Sequence, residues 1–199
     1  MDKCICILAL ILISIHLING MKTHVEGYYW RDFEGIIPED ALPGGLDRNG
    51  RPIYIGQVLF ESKLIPGKLY EHDPNVYYEW GMKELAATKN VRILCSQYPE
   101  KFEWLPTKHD EVVRLTNKLL LKGGYEPDYS TYIGRVYSTG ETSVGKVICR
   151  ETECLGLYTT KDGKGTEHRA AFEVLSFNPK MSTKKDTDCS QVSPRIDTE

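Results

Sequence analysis

The 199-residue chain contains no C-x-x-C pair, no H-E-x-x-H, no G-x-S-x-G and no N-x-S/T sequon. These gaps remove a zinc cluster, a helical metalloprotease site, a nucleophile elbow and N-linked glycans from consideration. Its five histidines have no ligand spacing, so no metal and no cofactor is expected. The net charge of −3 offers neither nucleic acid nor an anionic membrane a field to follow. Carboxylates are scattered without a pattern of their own, and we expect no enzyme. A glycosidase is the one catalytic class whose carboxylates leave so little sequence signature.

Only one long apolar run is present, from Cys4 to Ile18, ending at Asn19-Gly20. It is short for a spanning helix and reads as a secretory signal over residues 1–20, which predicts an extracellular protein without membrane insertion. Past that segment four cysteines remain: Cys95, Cys149, Cys154 and Cys189. In an oxidising compartment they predict one bridge among Cys95, Cys149 and Cys154, with Cys189 free or intermolecular.

Glycine and lysine meet in a motif that is only formally a phosphate loop. "GETSVGKV" at 140–147 has G-x-x-x-x-G-K, but Val147 replaces the metal-binding hydroxyl and a β-branched run follows where a helix should begin. An internal repeat explains it. "YIGQVLFESKLIPGK" at 54–68 and "YIGRVYSTGETSVGK" at 132–146 align without a gap at an offset of 78, with six of fifteen positions identical. Gly140 falls opposite Ser62, and only the Gly-Lys pair, read here as a turn, recurs. The match extends outward to Gly44-Gly45-Leu46-Asp47 and Gly123-Gly124-Tyr125-Glu126, with one residue of gap.

Strand-like segments at 53–60, 67–72, 75–80, 91–97, 131–138, 145–149, 154–159 and 170–177 are separated by Gly, Pro, Asp and Asn. With most of the twelve tyrosines on them, they predict an all-β protein of two tandem antiparallel repeats packed into one compact unit. The exception is 110–122, where Val112, Leu115 and Leu119 fit one face of a short helix. We place the first repeat at 27–100, the second at 101–177 and a disordered polar tail at 178–199.

The duplicated acid and lysine carry the chemistry. A sugar presents neighbouring hydroxyls that both donate and accept, so a carboxylate and an ammonium converging on one pocket can hold two of them. Asp47 with Lys68, and Glu126 with Lys146, supply that pairing once per repeat. Each site alone is weak, and two per chain, or more in a homodimer, give avidity on a repetitive surface such as a microbial polysaccharide.

"ALPGGLDRNGRPIYIGQVLFESKLIPGK" at 41–68 and "GGYEPDYSTYIGRVYSTGETSVGK" at 123–146, each followed by a closing apolar strand such as "FEVLSF", resemble the DM-nine repeat. That family occurs in secreted, salivary or immune-related invertebrate proteins, in mannose-binding lectins and at the front of natterin-like toxins. The resemblance implies paired β repeats and calcium-independent recognition of mannose-containing glycans in innate immunity, with Asp47 and Lys68 as sugar contacts. Glu126 in place of the aspartate and Val144 in place of the proline depart from the pattern and imply a weakened or altered second site. Pore formation is not implied. The rival expectation is a secreted salivary or venom effector that binds a host protein through a tyrosine-rich surface.

Overall fold

A computed structural model describes residues 27–180, so the expected signal segment, most of the polar tail and Cys189 lie outside the described residues. The first half contributes β1 (Tyr29–Asp32), β2 (Pro43–Leu46), β3 (Pro52–Phe60), β4 (Lys63–Tyr70), β5 (Val76–Trp80), β6 (Lys83–Ala87) and β7 (Val91–Cys95). The second contributes β8 (Phe102–Thr107), β9 (Lys122–Glu126), β10 (Tyr129–Ser138), β11 (Glu141–Cys149), β12 (Cys154–Lys161), β13 (Lys164–His168) and β14 (Phe172–Phe177). Every pairing is antiparallel, and the protein is all-β.

The halves are built alike. The pairing order β1-β7-β3-β4-β5-β6 in one is matched by β8-β14-β10-β11-β12-β13 in the other, and the two meet where Lys83 faces Lys164. Alternating β-branched residues form the long hairpins, and the turns set their register. Glu61 and Ser62 turn β3 into β4, and Thr139 and Gly140 turn β10 into β11, all four with positive φ, the two-residue geometry that suits strand twist. Gly140 is therefore a hairpin residue and takes no part in a phosphate loop.

The second repeat lends a short strand to the first. β9 pairs with β10 of its own half and also with β4, where Tyr125 faces Leu64. This closes eight strands, β4-β5-β6-β13-β12-β11-β10-β9, into a ring. The paired glycines make the crossing possible. A Cβ on Gly124 would stand 1.9 Å from the Leu64 carbonyl oxygen, and one on Gly45 would stand 1.8 Å from that of Thr142. Leu64 and Thr142 are themselves equivalent at the 78-residue offset, so β2 packs closely on β11 as β9 packs on β4, but only β9 adds ladder pairing across the halves.

Three apolar clusters result. One lies within the first repeat around Ile65, Leu69 and Ile93, and another within the second around Val147, Leu157 and Phe172. The third is shared, with Leu42, Ile53, Ile55 and Leu94 packing on Leu121, Ile133, Val144 and Leu175. The expected helix over 110–122 is a single 3-10 turn, Val112–Arg114. Val112 belongs to the second-repeat cluster and Leu121 to the shared one, so two different cores pull on the segment and no one helical face serves both. Cys149 and Cys154 form the disulfide, whereas Cys95 is a free, buried thiol.

Candidate functional site

The Gly-Lys pairs, read from sequence as turns, lie in mid-strand on β4 and β11. Their glycines admit a neighbouring strand. A Cβ at Gly67 would meet the Tyr77 carbonyl oxygen at 2.4 Å, and one at Gly145 would meet that of Tyr158 at 2.0 Å. The lysine that follows is drawn inside, Lys68 being 0% exposed and Lys146 2%. Buried ammonium groups need partners, and the two find different ones.

Lys68 is saturated. Its Nζ donates to Glu141 Oε1 at 2.7 Å, Ser143 Oγ at 3.0 Å and the Thr160 carbonyl at 2.5 Å, which uses all three of an ammonium's protons. Glu141 in turn accepts from Lys161 through Oε2 and from the Tyr70 hydroxyl at 3.0 Å. Burial lowers the Lys68 pKa, with Glu141 opposing it. Burial pushes the Glu141 carboxyl up, but hydrogen bonds from Lys161 and Lys68 hold it below its ordinary value. Burial and the adjacent Glu141 charge raise the Tyr70 phenol.

Asp47 is not part of this group. Its carboxylate accepts the Asn49 N–H at 2.8 Å, the Arg51 N–H at 2.9 Å and Arg51 Nε at 3.0 Å, bonds led by the Arg51 N–H that hold its pKa below the usual range. Among the described residues no hydrogen bond or ion pair joins Asp47 to Lys68. The expected pairing in the first repeat is replaced by Lys68 with Glu141 of the second, because Asp47 is committed to shaping the β2–β3 turn.

In the second repeat the expected pair does meet. Lys146 Nζ donates to Glu126 Oε1 at 2.5 Å and forms an ion pair with Glu79 Oε2 at 2.9 Å. The other Glu79 oxygen accepts the Met82 N–H at 2.6 Å. The Trp80 ring lies 5.1 Å from Lys146 Nζ and 4.9 Å from Lys63 Nζ, within cation–π range of both. Glu126 and Glu79 come from different repeats, joined by the crossing strands. Among the described residues two acceptors engage Lys146, leaving one ammonium proton, and Glu126 Oε2 has no partner.

Sequence reasoning missed Glu79, Trp80, Glu141, Ser143 and Lys161. Register supplies the correspondence that the gapless alignment did not reach. Lys68 faces Tyr77 and Lys146 faces Tyr158, so Glu79 stands where the other cluster has Thr160, and Trp80 where it has Lys161. The swap of Lys63 for Glu141 was visible in the alignment, without a sign that either side chain met a lysine of the other half.

Beside Glu126 opens a cavity of about 760 Å³, floored by the 112–120 connector and walled by Tyr129, Tyr132 and the Cys149–Cys154 disulfide.

The family model described as "DM9 repeat" matches the sequence twice, over residues 17–87 and 61–165. No curated protein matches. Among solved structures, the nematode sperm cell motility protein MFP2B is similar in fold, with a TM-score of 0.54 and 12% identity over 86% of this chain and 49% of that one. The chain thus spans about half the length of that neighbour, and at this identity the likeness concerns the fold alone.

Proposed function

The chain belongs to the DM9 repeat family, and from that premise we propose that it is a secreted carbohydrate-binding protein that recognises mannose-type glycans without calcium, in innate immunity. The observation that carries the reading is the unequal filling of the two lysine clusters. Lys146 is held by two carboxylates rather than three acceptors, and Glu126, which reaches the cavity wall, offers Oε2 to a sugar hydroxyl. Lys68, with three acceptors, has no proton to give. Binding therefore belongs to the second repeat, the reverse of the ranking that the motif alone implies, and Asp47 and Lys68 serve the scaffold. Secretion rests on the N-terminal apolar run and fits the Cys149–Cys154 disulfide.

The rival reading, a secreted effector that engages a host protein, rests on exposed tyrosines, Tyr137 at 75% and Tyr125 at 48%. Binding of the purified protein to immobilised mannan, with and without chelator and free mannose, separates the two. We expect chelator-resistant binding that free mannose competes away. Glu126→Gln is expected to weaken it about 10- to 100-fold, the worth of one hydrogen bond to a charged group, whereas Asp47→Asn leaves it unchanged. Folded wild-type protein that ignores mannan sinks the lectin reading and favours a protein partner.

A further inference from the structure

The cavity beside Glu126 is larger than a single hexose, and at about 760 Å³ it lies within the range of pockets built for small ligands. Glu126 belongs to both places: Oε1 accepts from Lys146, and the residue forms part of the cavity wall. A ligand held at Glu126 is thus already at the cavity's edge. The charges around the cavity balance, with Lys118, Lys122 and Arg150 against Glu126, Asp128 and Glu151, which suits an uncharged ligand better than a phosphate or a sialic acid. Two of those cations are further engaged, Lys118 by Glu103 at 2.8 Å and Arg150 by Glu153 at 3.6 Å.

The walls carry what a chain of neutral sugar rings uses. Tyr132 offers aromatic surface, Val113 and Leu120 apolar surface, and Ser130 a hydroxyl. Arg150 stacks 4.9 Å from the Tyr129 ring centroid, and its Nη2 donates to the Tyr129 hydroxyl at 2.8 Å, so that the phenol's own proton is left to point at a ligand oxygen. Tyr132 recurs in the first repeat as Tyr54, but Tyr129, Ser130 and Arg150 belong to the second repeat only. At the 78-residue offset, Tyr129, Ser130 and Arg150 stand where the first repeat has Arg51, Pro52 and His72.

Building on the lectin reading above, we propose that this cavity is an extended subsite for neutral oligosaccharide, with one sugar at Glu126 and Lys146 and the following rings running along Tyr129 and Tyr132. Second-repeat specificity is then for a glycan chain rather than for its terminal residue.

The test compares Kd for mannose and for a linear α-linked mannotriose on the full-length protein, by calorimetry, in wild type, Arg150→Ala and Ser130→Trp. Arg150 is exposed, and folding of each variant is checked by circular dichroism and melting temperature. Wild type is expected to bind the trisaccharide at least about tenfold more tightly than mannose, one to two added hydrogen bonds' worth. Arg150→Ala reduces that ratio by loosening Tyr129, and Ser130→Trp fills the cavity and brings the ratio near one, both with mannose affinity kept. Equal affinity for the two sugars in wild type, or a ratio that neither variant moves, overturns the subsite while leaving the mannose site standing. Loss of both ligands in folded wild type overturns the lectin reading and the subsite with it.

Discussion

Lys68 and Lys146 occupy the same place in two copies of one motif, yet the side chains facing them differ, and those side chains decide their roles. Lys68 with Glu141 is the structural case, a buried pair whose remaining bonds are all made. Removing one member leaves charge stranded, so Glu141→Gln is expected to cost about 3–5 kcal/mol in urea unfolding. The pH dependence has a definite sign. A carboxyl held below its ordinary value contributes stability in full above about pH 4.3 and loses it as pH falls through the lowered value. The gap between wild type and Glu141→Gln, followed from neutral pH to about pH 3, should therefore narrow toward the acid end. A constant gap would mean that the charge is not what Glu141 supplies.

Among the elements, the glycine-paired strands β2 and β9 have the most consequence for their size. Gly124→Ala puts a methyl group into the Leu64 carbonyl oxygen, backbone that has nowhere to move. Its cost is expected to exceed the roughly 1–3 kcal/mol usual for overpacking. Thermal melting checks this against Lys164→Ala on exposed β13, expected to change little; equal melting of the two would show that β9 does not lie this close to β4. These strands also mark the limit of what the sequence makes legible. β3, β5, β7, β10, β12 and β14 were readable because β-branched and aromatic residues lie between turn signals, whereas β4 and β11 were read only from their Gly-Lys pairs onward, the glycines having been taken for turns. β2 and β9 were not, since Gly-Gly carries no strand propensity and works by admitting another backbone. β6, "KELAA", is composed like helix, and β13, "KGTEH", like loop; both are held by pairing with neighbours that local composition cannot reveal. The site divides in the same way. Glu126 with Lys146 was legible from the repeat, but the same pairing failed for Asp47 and Lys68, because Asp47 bonds Asn49 and Arg51 in its own turn, and Glu79 and Glu141 reach the lysines across the halves.

At the scale of the whole molecule, the halves are not independent bodies. The shared cluster draws on Ile53, Ile55 and Leu94 from one and on Ile133, Val144 and Leu175 from the other. A fragment of residues 27–100 by itself would expose its side of that cluster, leave Lys68 without Glu141 and lose β9 from β4. We expect it to show no dispersed amide spectrum alone and to gain one when mixed with a fragment of residues 101–180. A well-dispersed spectrum from the isolated fragment would mean that each repeat closes its own core.

The crossing strands have a consequence for symmetry. The two halves present equivalent strands at their crossing, the arrangement that two identical copies of one repeat would make in a two-fold pair. In such a pair every change appears twice, and both lysine clusters must stay identical. Within one polypeptide the copies are free to differ, and this chain has Glu141 opposite Lys63 and Lys161 opposite Trp80.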